Sequence, residues 1–236
     1  MKKLLASDYD QTYYLNDLDI VKNIEETKKW IDKGNIFVIA TGRSYQDLKN
    51  KQDKYNFVFD YVILNHGATI IDKNNIILWN KIIPNKIISK IKDNLDKSNY
   101  ISYFCCSTLE SRVDFNHSNL TKIAVTYDNK EKALRKAEEL NNSFKNDIKA
   151  FYVNNNSVEI VAKLAGKEKA IQYLSKRNHI KKDKIYTIGD GYSDINMIKV
   201  FQGYAMEQGV EELKTNAKKV YNSVSLLIKD LLNKDE

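Results

Sequence analysis

Apolar residues along this chain fall into two alternating patterns: short unbroken runs, and stripes spaced three or four residues apart. Residues 4–6 (Leu-Leu-Ala), Ile36–Ala40, Tyr61–Leu64 and Ile185–Gly189 are runs of the first kind, the mark of strands covered on both faces. Between the first two, Leu18, Val21, Ile24, Thr27 and Ile31 recur at helical spacing. They predict a helix over residues 17–33, started by Asn16 or Asp17 and stopped at Gly34. A polar helix is expected over 45–54, and Thr69–Asp72 with 76–79 flank Lys73-Asn74-Asn75 as a hairpin. Strand, helix, strand, helix, strand within 65 residues argues for a parallel, Rossmann-like α/β sheet.

The pattern changes at Pro84, the only proline. A helix over 85–97 carries the stripe Ile87, Ile88, Ile91, Leu95. Strands are expected at 100–107, 111–115 and 122–127, then a charged helix over 130–145, then strands Ile148–Val153 and 158–161. This is an α+β order, so residues 83–158 read as a second domain inserted into a core made of 1–82 and 159–236. The first pattern then returns, with helices at 166–179, 193–201, 209–217 and 223–233 around the strand Ile185–Gly189 and a short strand at 203–206.

Composition narrows the classes. No segment has the roughly 18–20 unbroken apolar residues of a membrane span, and Met1-Lys2-Lys3 runs straight into a strand. The expectation is a cytoplasmic protein without a membrane partner. The net charge of +7 comes nearly all from Lys, scattered among Asp, Glu and Asn, with Arg only at 43, 112, 135 and 177. Nucleic-acid binders cluster their basic residues on one face, so no nucleic-acid partner is expected. Cys105 and Cys106 are adjacent on a predicted strand and would point to opposite faces, which disfavours a mutual disulfide.

Candidate chemistry sits where the apolar runs end. Asp8 and Asp10, separated by one residue, follow the first strand, where open α/β sheets bind ligands. Two such carboxylates suit a hard cation such as Mg²⁺. Thr41-Gly42-Arg43 closes the second strand with a hydroxyl, a glycine and a following helix N-terminus, a combination that suits an anion. Gly189-Asp190-Gly191-Tyr192-Ser193-Asp194 closes another, and on its own is equally a turn or a calcium loop. Lys167 opens a helix after the inserted segment. Glu159, on a strand, reads as a group beside the site or on the substrate side, and His66 as either a leaving-group contact or a loop histidine.

In this order, the motifs resemble those of the haloacid dehalogenase (HAD) superfamily phosphatases, of the Cof-type (subfamily IIB) branch. Asp8-Tyr9-Asp10-Gln11-Thr12 is similar to the first family motif, Ala40-Thr41-Gly42-Arg43 to the second, Glu159 to Lys167 to the third, and Gly189 to Asp194 to the fourth. Gly203-Tyr204-Ala205-Met206 resembles a further family segment. The chain departs at Ser193, where the family usually has Asn, and at His66-Gly67-Ala68, where it has Asn-Gly-Ala.

The resemblance implies an α/β core with an inserted cap over 83–158 and a Mg²⁺-dependent phosphatase acting on a small phosphorylated metabolite. Asp8 would be the nucleophile that forms an aspartyl-phosphate, and Asp10 the acid and base. Thr41, Gly42, Arg43 and Lys167 would hold the phosphoryl group, with Thr41 and Lys167 also counted as catalytic and His66 as a substrate contact. Asp8, Asp10 (through its backbone carbonyl), Asp190 and Asp194 would form the metal site, with Asp194 orienting Lys167 or metal-bound water rather than binding the ion directly. Alternatives are a phosphomutase or dedicated sugar-phosphate phosphatase on the same scaffold, or a non-catalytic binding protein that keeps the fold. The expected assembly is a monomer or weak homodimer.

Overall fold

The computed structural model describes residues 2–153 and 155–233. The chain opens with β1 (Leu4–Ser7), α1 (Asp17–Asp32), β2 (Ile36–Ala40), α2 (Tyr45–Tyr55), β3 (Tyr61–Leu64), β4 (Thr69–Asp72) and β5 (Ile77–Asn80). A second group follows: α3 (Asn85–Asp96), β6 (Ser102–Cys106), β7 (Ser111–Val113), β8 (Lys122–Thr126), α4 (Lys130–Ser143), β9 (Ile148–Val153) and β10 (Ser157–Ala162). The chain closes with α5 (Lys167–Arg177), β11 (Ile185–Gly189), α6 (Ile195–Val200), β12 (Gln202–Met206), α7 (Glu211–Asn216), β13 (Val220–Tyr221) and α8 (Val224–Asn233).

The first sheet has the order β13-β12-β11-β1-β2-β3-β4-β5, parallel except for β4, which runs antiparallel to both of its neighbours, β3 and β5. Its apolar runs are continuous because both faces are covered. Leu5, Phe37, Ile39, Leu64 and Ile188 face one core with α1 and α8. Leu4, Ala6, Val38, Ile63 and Ile185 face the other with α5 and α6. From β1 the chain moves to β2 on one side and returns at β11 on the other. That reversal opens a crevice at the carboxyl ends of these strands.

The second sheet is antiparallel, in the order β7-β6-β8-β10-β9. One face packs its apolar residues, including Cys105, Ile123, Val125, Val158 and Ile160, against α3 and α4. Alternation puts Cys106, Lys122, Ala124 and Glu159 on the other face. Cys105 and Cys106 are free thiols and buried. β10 pairs with β8 and β9 through Val161 and Ala162. The second sheet therefore reaches past residue 158, where the sequence reading ended it, and Glu159 lies in it.

Helix α1 shows a second difference. Its inward face is Ile20, Asn23, Ile24, Glu26, Thr27 and Trp30, while Leu18 and Val21 are 78% and 52% exposed. Asn23 can face inward because its amide donates to the Tyr13 carbonyl at 2.8 Å and its oxygen accepts from Ser225 N at 2.7 Å. Trp30 Nε1 donates to the Ile36 carbonyl at 2.9 Å. Polar atoms with partners, not hydrophobicity alone, set the orientation of this helix. No helix among the described residues is long and apolar enough to cross a membrane.

Candidate active site at the strand ends

Parallel strands carry their C-terminal residues to one edge of the sheet, so Asp8, Thr41 and Asp190 arrive together. Asp8 N donates to the Ile188 carbonyl of β11 at 3.0 Å, which carries the pairing of β1 with β11 one residue beyond the end of β1. The chain then doubles back through Gln11, whose φ is 57°. This turn brings Thr12 under the fourth motif, where its hydroxyl donates to Asp190 Oδ1 at 2.7 Å.

Lys167 lies at the first turn of α5 with its side chain 2% exposed. Its Nζ donates to Asp8 Oδ1 at 2.7 Å and to Asp194 Oδ1 at 2.6 Å. Burial opposes the charge on Lys167, but the two carboxylates outweigh it and raise its pKa. A close backbone approach seats the helix. A Cβ on Gly67, which has φ +96°, would fall 2.2 Å from the Gly166 carbonyl carbon, so only glycine fits there.

Asp194 is fully buried and its other oxygen accepts from the amides of Asp190 (3.2 Å) and Gly191 (3.1 Å). Asp8, Asp190 and Asp194 each offer an oxygen within 4.8 Å of one another. Burial raises the Asp8 pKa, Asp194 and Asp190 push it further up, and Lys167 opposes them. Asp190 is raised by burial and by Asp194, against the hydroxyl of Thr12. Three carboxylates facing one ammonium leave an excess of negative charge that a divalent, oxygen-seeking cation complements. Both Asp194 oxygens already have donors, so Asp8 and Asp190 are the acids with room for an ion.

The other expected residues divide. Asp10 is not in the three-acid group. Its carboxylate takes two parallel bonds from Arg43, at 2.8 Å from Nε and 2.7 Å from the terminal nitrogen. Thr41 is buried, and its hydroxyl accepts from Arg43 N at 3.1 Å. The turn at residues 41–43 is laced to the turn after β3, since Asn65 N donates to the Arg43 carbonyl and His66 N to that of Thr41.

His66 does not stand free as a loop residue. Its Nε2 meets the Glu159 carboxylate in a short contact, and its ring lies edge-on to Phe151 at 4.6 Å between centroids. Burial lowers the His66 pKa against the pull of Glu159, so the neutral ring donates from Nε2. That leaves Nδ1 buried without a partner. Glu159 also receives Lys122 Nζ at 3.0 Å. Burial opposes its ionisation, yet Lys122 and His66 hold it at about 2.

These residues enclose a cavity of about 640 Å³, with Asp8, Lys167 and Asp190 on the first sheet's side and Lys122, Tyr152 and Glu159 on the second sheet's side. Lys122 and Thr12 had no role in the sequence reading. The only signal for Lys122 was its alternation with Ile123 and Val125, and for Thr12 its place in the first motif.

A family model described as haloacid dehalogenase-like hydrolase matches residues 5–113 and 106–225. An uncharacterised protein of Mycoplasma capricolum is 29% identical over 234 residues, covering 85% of this chain and 88% of its own length. A provisionally named phosphatase of Buchnera aphidicola (Schizaphis graminum) is 25% identical, covering 92% of this chain and 88% of its own length. The crystal structure of a haloacid dehalogenase-like hydrolase from B. subtilis superposes with a TM-score of 0.87 at 18% identity. That match covers 97% of this chain and 99% of the other.

Proposed function

Because the chain belongs to the haloacid dehalogenase-like hydrolase family, we propose that it is a Mg²⁺-dependent phosphatase that hydrolyses a small phosphorylated metabolite. The observation that carries the reading is the buried Lys167 shared by Asp8 and Asp194, with Asp190 completing the acidic group. The relative from Buchnera aphidicola, phosphatase by name, supports the same class.

Asp8 is the nucleophile. A carboxylate oxygen attacks phosphorus, the ester P–O bond breaks, and an aspartyl-phosphate forms. Lys167 fixes the orientation of Asp8 and lends positive charge to the transferring group. Asp8 and Asp190 would hold Mg²⁺, which when bound would supply the charge neutralisation that lets a carboxylate approach a phosphate dianion. Thr41, Gly42 and Arg43 bind phosphoryl oxygens at the end of β2.

Asp10 protonates the leaving alcohol and then removes a proton from the water that cleaves the acyl phosphate. Its bidentate pairing with Arg43 sets a condition on that role. Arg43 passes its hydrogen bonds to the phosphoryl oxygens when substrate enters, and so frees Asp10 to exchange protons. The second sheet closes the cavity as a cap over residues 83–158 and its continuation through β10, and gives the leaving group its surroundings.

Purified protein should release inorganic phosphate from p-nitrophenyl phosphate with Mg²⁺ and stop when the metal is chelated. A panel of phosphorylated metabolites under the same conditions identifies the preferred leaving group. Equal turnover with and without chelator would overturn the metal-dependent reading.

A further inference from the structure

The turn at residues 41–43 is tied by backbone bonds at Thr41 and Arg43 to β3 and the turn after it, and the second sheet grips its middle residue, Gly42, from two directions. Lys122 on β8 reaches across to the Gly42 carbonyl at 2.7 Å while its ammonium also meets Glu159 at 3.0 Å. Its side chain is 4% exposed. Glu159 on β10 and Phe151 on β9 hold the His66 ring from the same sheet. That ring lies directly against the glycine: a Cβ at Gly42 would fall 2.3 Å from His66 Cε1 and 2.4 Å from Nε2. Gly42 thus has a cap lysine on its carbonyl and a cap-held histidine on its α-carbon.

The backbone behind His66 needs such support. Asn65 and His66 both have positive φ, 48° and 55°, a conformation that costs a non-glycine residue energy and persists only where the surroundings enforce it. Asn65 is itself tied to the inserted segment, donating from Nδ2 to Thr121 Oγ1 at 3.0 Å. Ser44, which caps α2 after the turn, touches Ser111 of β7 through the two hydroxyls. Both of these bonds join the turns after β2 and β3 to the inserted segment.

We propose that Lys122 and Glu159 are positioning residues for the phosphate-binding turn. They act through the Gly42 carbonyl and the His66 ring, so the turn has its binding geometry only while the second sheet is seated. The proposal rests on the phosphatase reading for what the turn binds, and on the contacts alone for what holds the turn. Substrate leaving groups then need not touch Lys122 for it to matter. Its target is the protein backbone, and the consequence falls on phosphoryl affinity whatever the ester.

Three full-length variants test this: Lys122→Met, Lys122→Arg and Glu159→Gln. Hydrogen–deuterium exchange, read by mass spectrometry without substrate, should speed up across residues 41–44 in Lys122→Met and Glu159→Gln but stay unchanged in β1. With Mg²⁺, the inhibition constant of inorganic phosphate against p-nitrophenyl phosphate should rise about tenfold in Lys122→Met, the scale of one weakened charge-assisted hydrogen bond. Lys122→Arg should recover most of both effects. Should Lys122→Met fail to fold, Glu159→Gln carries the same predictions through His66. Unchanged exchange at 41–44 overturns the proposal. So does an unchanged phosphate constant with a KM that rises only for bulky esters, since that marks Lys122 as a direct leaving-group contact. If the unmodified protein releases no phosphate, the phosphatase reading fails, and the exchange measurement still decides the clasp.

Discussion

Glu159 is ionised in a place that burial disfavours, and Lys122 and His66 are the reason. Its folded value of about 2 lies below the ordinary 4.5, so the ionised group stabilises the fold above about 4.5 and that contribution fades as the pH falls towards 2. The depression corresponds to stability on the order of 3 kcal/mol at neutral pH. His66 works in the same direction: burial lowers its pKa from 6.5, so it too favours unfolding as acid is added. Urea unfolding should therefore show Glu159→Gln well below the unmodified protein at pH 7 and closer to it at pH 3.5. A constant gap across that range would contradict the assignment. At this scale the strand-end acids and Lys167 were legible because each terminates an apolar run or opens a helix. The partners of Lys122 and His66 were not, because those contacts depend on how one sheet seats over another.

At the scale of elements, the alternation of runs and stripes located every major helix and strand, while faces and ends were less legible. The stripe of α1 pointed to Leu18 and Val21, which lie in solvent, whereas Asn23 is fully buried. A hydropathy stripe cannot register that an asparagine has a carbonyl from Tyr13 and an amide from Ser225 waiting for it. Replacing Asn23 by Ala leaves both groups buried and unpaired, and should destabilise the fold by about 1–3 kcal/mol. Leu18→Ser and Val21→Ser should change stability by less than about 0.5 kcal/mol. Urea midpoints for the three variants check this, and equal losses at all three sites would restore the hydropathy reading. A boundary of the second segment at 158 comes too early for a related reason. The sequence reads 158–161 as a strand of the α+β order, but only the pairing with β8 and β9 carries the second sheet to Ala162.

For the whole molecule, the order of the chain explains why the site lies where it does. A parallel sheet whose connections reverse at β1 delivers Asp8 and Asp190 to one edge, 182 residues apart in sequence. The second sheet, inserted between β5 and α5, returns the chain so that Lys167 enters the same crevice from above. The measurement that bears most directly on the phosphatase account is phosphate release from p-nitrophenyl phosphate with saturating Mg²⁺, comparing the unmodified protein with Asp8→Asn. Nucleophilic attack by Asp8 predicts steady turnover in the first and none above background in the second, with the fold of both checked by circular dichroism. Equal phosphate release by the two proteins would contradict it.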